Sequence, residues 1–165
     1  MKKQQLKETI NFLKSNGITS PEIGIVLGTG LGKLIAEISI EKEIAYSDIP
    51  NFPLATVEFH SGKLIYGSLS GKKVIVMAGR FHLYEGYNPW EVTYGIRVMH
   101  GLGIKNLLIS NAAGAINLNY KKGDLMLIED HINLQGSSPL AFQGASNFGN
   151  IFADMLAPYS AALNT

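Results

Sequence analysis

Nine consecutive residues, 79–87, combine the side chains that a phosphate-binding site would need: Gly-Arg-Phe-His-Leu-Tyr-Glu-Gly-Tyr. Arg80 offers a planar fork of donors that suits phosphate oxygens, and His82 can donate a further hydrogen bond. Glu85 could fix the orientation of either group. The alternative interpretation is a surface ion pair between Arg80 and Glu85, with the aromatic rings packed in the core. The anion site is favoured because so many polar groups directly follow a predicted strand.

Residues 28–32, Gly-Thr-Gly-Leu-Gly, form a second candidate segment between an apolar run and a predicted helix. Backbone N–H groups and the Thr29 hydroxyl could bind an anion there, helped by the helix dipole. The segment is not a dinucleotide fingerprint, because Lys33 stands where the third glycine is needed. It is not a P-loop either, since Leu27 and Leu34 replace the required glycine and hydroxyl. A phosphate-binding loop and a purely structural turn both remain open.

Residues 110–114, Ser-Asn-Ala-Ala-Gly, also follow a predicted strand, and their small side chains would let the backbone approach a ligand. Taken alone, this segment favours the structural interpretation, a tight turn without a ligand. His60 lies at a predicted strand end, but an isolated histidine is more often packed or solvated than functional. His100 and His131 are interpreted as structural. The histidines show no metal-ligand spacing and cysteine is absent, so no metal site is predicted.

The composition limits the class of protein. A chain of 165 residues with 46% hydrophobic residues can form one domain with a buried core. A formal net charge of +1 with 16% charged residues argues against nucleic acid or an anionic membrane as the partner. The absence of cysteine suits a cytoplasmic enzyme. Residues 1–14 do not resemble a signal peptide, and no apolar run reaches the roughly 18 residues of a membrane span.

Apolar periodicity predicts the elements that position these segments. Leu6, Ile10 and Leu13 predict an amphipathic helix that ends near Gly17. The other predicted elements are a buried strand at 23–27, a helix over 31–38, a hairpin of strands 64–69 and 73–77, a helix from Pro89 to Gly101 or Gly103, a buried strand at 107–110 and a strand at 125–128. Strands alternating with helices predict a layered α/β domain, in which helices flank a central mixed β-sheet and ligands bind at strand ends.

Together, the segments closely resemble the trimeric purine nucleoside phosphorylases in order and spacing. The matching segments are 26–32, 49–53, 79–87, 110–114 and 130–134. The segment 79–87 is specific and separates this sequence from the methylthioadenosine phosphorylases, which share the fold. The resemblance implies the nucleoside phosphorylase fold, a role in purine salvage and reversible phosphorolysis of purine (deoxy)nucleosides. The products would be the free base and (deoxy)ribose 1-phosphate, with inosine and guanosine as the expected substrates.

The resemblance also implies roles at matching positions. The implied phosphate ligands are Thr29, Arg80, His82 and the backbone N–H of Ala112; the implied nucleoside contacts are Tyr84, His60 and Phe148; the implied catalytic residues are His82 and His60; and Glu85 is expected to support the phosphate loop from behind. Phe148 would reach across the interface of a homotrimer to cover a neighbour's ribose. Phosphate is a co-substrate, and no cofactor is implied.

Members of this family continue beyond the position that matches Thr165. The resemblance therefore implies a single incomplete phosphorylase domain over residues 1–165, truncated at the C-terminus and lacking the residues that recognise the purine. Such a chain is expected to be inactive alone. Two alternatives stay open: a catalytically dead module that binds phosphate or ribose phosphate, and a structural protein that reuses the trimer surface without a ligand.

Overall fold

A computed structural model describes residues 1–54 and 62–164 of the chain. The helices are α1 (Lys2–Ser15), α2 (Pro89–Val92) and α3 (Tyr94–Leu102), and the strands are β1 (Ile23–Val26), β2 (Ser39–Ala45), β3 (Lys63–Leu69), β4 (Lys72–Ala78) and β5 (Asn106–Ile109). Short 3₁₀ helices span Gly32–Glu37, Tyr46–Asp48, Leu83–Glu85 and Ala145–Phe148. None of the described helices is both long and apolar enough to cross a membrane.

The chain divides into two compact units, Met1–Ala112 and Ala113–Thr165. The first unit holds α1 to α3 and β1 to β5. The described part of the second consists of turns, bends, irregular segments and the 3₁₀ helix Ala145–Phe148. The predicted single domain over residues 1–165 stays a prediction.

The described strands form one mixed sheet in the order β2-β3-β4-β1-β5, which confirms the predicted fold class. β3 is antiparallel to both β2 and β4, whereas β1 is parallel to both β4 and β5. The carboxyl ends of β4, β1 and β5 therefore lie side by side at the same end of the sheet. Since segments 79–87, 28–32 and 110–114 follow these three strands, the topology brings the three candidate segments together.

The predicted hairpin and the predicted first helix are confirmed. β3 and β4 pair in register from Lys63↔Ala78 to Leu69↔Lys72, and Ser70 and Gly71 turn the chain with φ of 48° and 78°. Two consecutive left-handed residues give a turn whose twist matches that of the flanking strands. Helix α1 packs on α3, where a Cβ at Gly101 would lie 2.2 Å from the Ile10 Cδ1 atom. A side chain larger than hydrogen at this position would require the Ile10 side chain to move.

The two other predicted helices differ in detail from the structure. The helix expected over 31–38 is a 3₁₀ helix, Gly32–Glu37, and Ile38 is already extended. The helix beginning at Pro89 is interrupted at Thr93, whose φ of −95° and ψ of 4° separate α2 from α3. The Thr93 hydroxyl donates to the Pro89 carbonyl at 2.8 Å. A hydroxyl that bonds back to the preceding turn competes with the regular backbone pattern and bends the helix.

Two strand predictions need correction, and one strand has no counterpart among the predictions. The strand at 107–110 was expected to be buried, but β5 is an exposed edge strand, with 51% of Leu108 and 62% of Ile109 accessible. An edge strand has a neighbour on one side only, so its apolar residues stay accessible wherever no helix covers them. The strand predicted at 125–128 is wrong, because these residues belong to none of the described strands. β2 was missed because its first five residues are exposed and mostly polar.

Candidate functional site

Hydrogen bonds join the three candidate segments at the carboxyl ends of the parallel strands. The backbone N–H of Gly28 donates to the Ser110 hydroxyl at 2.9 Å. The Nη1 group of Arg80 donates to the Ser110 carbonyl at 2.6 Å. Ser110 is thus a common contact of the loops after β1 and β4, and it begins the loop after β5 itself.

The close approach of two loops explains why glycine is required at position 28. A Cβ at Gly28 would lie 2.5 Å from the Ser110 carbonyl oxygen and 2.8 Å from the Asn111 Cα atom. Both distances are well below van der Waals contact, so Gly28 has a structural reason. Thr29, which follows it, is exposed at the strand end and can offer its hydroxyl to a ligand. Both interpretations of this loop therefore apply: the structural one to Gly28, and the phosphate-binding one to Thr29.

Arg80, His82 and Glu85 form a hydrogen-bonded chain. The Nε group of Arg80 donates to Nε2 of His82 at 3.1 Å, and Nδ1 of His82 lies 2.6 Å from Glu85 Oε1. Since Nε2 accepts a hydrogen bond here, a neutral His82 carries its proton on Nδ1 and donates it to Glu85. The same Glu85 oxygen accepts the backbone N–H of His82 at 2.8 Å. Only 3% of the Glu85 side chain is exposed, which argues against a surface ion pair.

Tyr84 packs against the hydrogen-bonded group of Arg80, His82 and Glu85. Its ring stacks on the His82 ring, with centroids 4.6 Å apart and planes 17° apart. Tyr84 is 77% exposed. It belongs to the short 3₁₀ helix Leu83–Glu85, which ends at Gly86 in the left-handed region at φ 91°. A stacked tyrosine that is open to solvent presents a flat surface and a hydroxyl to a ligand.

Buried aromatic rings form the base of the same loop. Phe81 is buried and packs against Tyr46, Phe52 and Tyr87, with centroids 5.4 to 5.9 Å apart. The Tyr46 hydroxyl donates to the Gly79 carbonyl at 2.8 Å. Burial raises the pKa of Tyr46 well above its usual range, which keeps the hydroxyl protonated as a donor. The loop that carries Arg80 and His82 thus rests on a fixed support.

The remaining predicted residues are placed as follows. Ala112 is exposed at the end of the first unit. His60 lies outside the described residues. Phe148 lies in the second unit, where its ring meets Phe142 edge-on at 5.9 Å. His131, also in the second unit, contacts the Tyr159 hydroxyl. Within residues 1–54 and 62–164, no three metal-ligating side chains gather in one place.

The arrangement in the first unit suits a tetrahedral oxyanion. The guanidinium of Arg80 has five N–H groups. Its contacts with His82 and Ser110 use the Nε–H and one Nη1–H, and these two contacts do not use the other three. A guanidinium held at two points is pre-organised for bidentate binding of phosphate oxygens. No individual role is predicted from the sequence for Ser110, although this residue begins the candidate segment 110–114, and Tyr46 is not predicted as part of the site. A hydroxyl at the end of a predicted strand was the available signal for Ser110.

The comparison with protein families agrees with this geometry. The model of the phosphorylase superfamily matches residues 22–165. The match covers most of the chain, and the chain therefore belongs to the phosphorylase superfamily.

Curated relatives narrow the similarity within that superfamily. The chain is 49% identical over 163 residues to purine nucleoside phosphorylase 1 of Geobacillus stearothermophilus. The aligned region covers 99% of this chain and 60% of the relative. It is 42% identical over 159 residues to the purine nucleoside phosphorylase of Bos taurus, covering 94% of this chain and 55% of that protein. The chain thus spans at most about 60% of the length of these relatives.

A solved structure shows the same fold. Isoform 2 of purine nucleoside phosphorylase from Schistosoma mansoni, in complex with cytosine and ribose-1-phosphate, superimposes with a TM-score of 0.89 at 43% identity. The superposition covers 98% of this chain and 57% of that one. The nucleoside phosphorylase fold predicted from the sequence is therefore confirmed.

Proposed function

We propose that this chain supplies the phosphate- and ribose-binding part of a purine nucleoside phosphorylase, an enzyme that exchanges the base of a purine nucleoside for inorganic phosphate. The observation that carries the proposal is the convergence of three loops on Ser110, with Arg80 held between Ser110 and His82. Similarity to purine nucleoside phosphorylases at 42% to 49% identity supports the same conclusion.

The proposed reaction matches these residue types. Cleavage of an N-glycosidic bond develops positive charge on the ribose, as in glycoside hydrolysis. A phosphate dianion below the sugar stabilises that charge and then bonds to the anomeric carbon, while the base leaves with the electron pair of the broken bond. Arg80, the Thr29 hydroxyl and the Ala112 N–H would hold the phosphate. Their contribution is positioning and electrostatic stabilisation rather than covalent catalysis.

His82 has two roles in this proposal. In the structure, its Nε2 accepts from Arg80 and orients the guanidinium. To donate to phosphate, His82 would need a second proton and a small movement away from Arg80. Glu85 would stabilise the resulting imidazolium, because its carboxylate already bonds to Nδ1. Glu85 thereby supports the phosphate loop in both protonation states.

The nucleoside contacts are proposed on the family resemblance. Tyr84, exposed and stacked on His82, would contact the ribose. His60 would approach the phosphate and the ribose, and Phe148 would cover the ribose of a neighbouring subunit in a homotrimer. The proposed substrates are inosine and guanosine with phosphate, without a cofactor, in cytoplasmic purine salvage. The Schistosoma mansoni relative described with ribose-1-phosphate supports the sugar phosphate as a ligand.

A binding module without catalysis is the second candidate. It is favoured by the distribution of the described site residues, because Thr29, Arg80, His82, Tyr84 and Ala112 all belong to the unit Met1–Ala112. The chain spans about 60% of its Geobacillus relative, so we expect little or no turnover from the 165-residue chain alone. Phosphate binding without turnover is the outcome that this second candidate predicts.

The test combines the mass and size of the chain in solution with one activity assay and one binding measurement. Inosine phosphorolysis is followed with and without phosphate, and calorimetry measures the binding of phosphate and of ribose 1-phosphate. Hypoxanthine release that depends on phosphate would support the enzyme and contradict the expected inactivity of the chain alone. Binding without release would support the phosphate site and favour the module. No binding of either ligand would contradict both candidates.

A further inference from the structure

Ser110 makes four hydrogen bonds at the point where β5 leaves the sheet. Its backbone N–H and its hydroxyl both donate to the Val26 carbonyl, at 3.0 and 3.1 Å. Its hydroxyl accepts the Gly28 N–H at 2.9 Å, and its carbonyl accepts Arg80 Nη1 at 2.6 Å. One residue therefore connects the ends of β1 and β5 with the guanidinium of the candidate phosphate site.

The register of the sheet shows that the bond from the Gly28 N–H to the Ser110 hydroxyl replaces a regular backbone bond of the ladder. β1 and β5 are parallel, and Val26 pairs with Ile109. In a regular parallel ladder the next bond would run from the Gly28 N–H to the backbone carbonyl of Ser110. The Gly28 N–H instead bonds to the Ser110 hydroxyl. The hydroxyl takes the place of the ladder carbonyl, and the carbonyl turns to Arg80.

We propose that Ser110 is a positioning residue, whose hydroxyl completes the β1–β5 ladder and thereby releases its own carbonyl to hold Arg80 in its binding orientation. The proposal rests on the phosphate site proposed above. Arg80 is then held at Nη1 by Ser110 and at Nε by His82, which fixes the guanidinium plane. Without the hydroxyl, the Gly28 N–H would lose its partner, and the carbonyl at position 110 would be drawn back into the ladder.

A matched pair of variants isolates the hydroxyl. Ser110→Thr keeps it, and Ser110→Val has nearly the same shape without it. Calorimetry with inorganic phosphate is expected to show binding within about twofold of the native chain for Ser110→Thr. Binding to Ser110→Val should be about tenfold weaker, because loss of the hydroxyl acts indirectly and weakens, without removing, the bond between the carbonyl at position 110 and the charged Arg80. If Ser110→Val does not fold, Ser110→Ala replaces it, and thermal melting monitors folding.

A second background separates positioning from a general structural effect. Arg80→Met removes the group through which Ser110 would act, so Thr and Val at position 110 should then bind phosphate equally, although their melting temperatures still differ. An equal loss in both backgrounds would overturn the proposal. Native-like phosphate binding by Ser110→Val would also overturn it.

A third readout does not depend on the proposed function. The chain has two arginines, Arg80 and Arg97, so their Nε–H resonances can be assigned with ¹⁵N labelling and one variant. In Ser110→Val, the Arg80 resonance should shift and exchange faster with water, while that of Arg97 stays constant. If the native chain does not bind phosphate, the proposed function fails, and this resonance alone decides the role of Ser110. An unchanged Arg80 signal would then contradict the positioning role.

Discussion

β2 and β5 lie at the two edges of the described sheet, and both are exposed, but their side chains differ in kind. β2 carries charges that pair with lysines on β3 and β4: Glu43 lies 2.5 Å from Lys63 of β3, and Glu41 bonds to Lys73 of β4. β5 exposes Leu108 and Ile109. Alternating charges on an edge strand oppose pairing with another chain, whereas an apolar edge permits it.

The edges also differ in what lies at their strand ends. On the β2 side the strands are antiparallel, so neighbouring ends alternate between the two sides of the sheet. On the β5 side three strands run parallel, and their carboxyl ends gather the loops with Thr29, Arg80 and Ser110. Only a parallel arrangement collects loops in this way, which explains why the donors for an anion lie on that side of the sheet.

The largest expected effect comes from Arg80→Met, which should weaken phosphate binding about 100-fold because a bidentate, charge-assisted contact is lost. Lys73→Met removes the same charge from the network on the β2 side and is the matched control. Calorimetry at constant ionic strength should show native phosphate affinity for Lys73→Met. Equal weakening by both variants would mean that net charge, rather than the geometry of the parallel side, controls binding.

Gly28→Val should destabilise the fold by about 1–3 kcal/mol, because its side chain would overlap the Ser110 carbonyl and the Asn111 backbone. Gly32→Ala is the control, since nothing lies within 4 Å of a Cβ there and φ is not positive. Urea unfolding measures both free energies. A stability of Gly28→Val equal to that of Gly32→Ala would show that the β1 and β5 loops do not approach as closely as described.

Ile109→Lys should reduce self-association of the 165-residue chain, because it places a charge on the apolar edge strand. Ile40→Lys, on the already charged β2 edge, should change self-association little. Light scattering over a concentration series measures both variants. Identical curves for Ile109→Lys and the native chain would contradict the proposed difference between the edges.

The smallest effect is expected for Glu41→Gln. The hydrogen bond from Lys73 lowers the pKa of Glu41, so this carboxylate stabilises the fold above its unfolded pKa and loses that contribution as the pH falls through its folded pKa. Because the pair is exposed, the melting temperature should fall by at most a few degrees near neutral pH. The difference should disappear in strong acid and shrink in high salt. A difference that persists in acid would contradict the ion-pair explanation.

Local patterns predicted much of the fold. The spacing of Leu6, Ile10 and Leu13 was sufficient for α1, and Ser70-Gly71 between two apolar runs was sufficient for the hairpin. The patterns failed where neighbours decide the outcome. An apolar run at 107–110 looks buried in the sequence, yet β5 has a strand on one side only. The sequence of β2 is mostly polar, and its acidic side chains find their partners on other strands, which a local pattern does not reveal.

The candidate site divides in the same way. The sequence by itself determined which groups are present: Arg80, His82 and Glu85 in one segment, the hydroxyl of Thr29, and small residues after the predicted strands. Only the tertiary structure decided that these strand ends are neighbours, through the parallel order β4-β1-β5. It also decided the role of Ser110, whose hydroxyl replaces a ladder carbonyl. The hydrogen bond from Gly28 to Ser110 spans 82 positions of the chain, and that from Arg80 to Ser110 spans 30. Such bonds depend on strand order and register, which short-range periodicity does not encode.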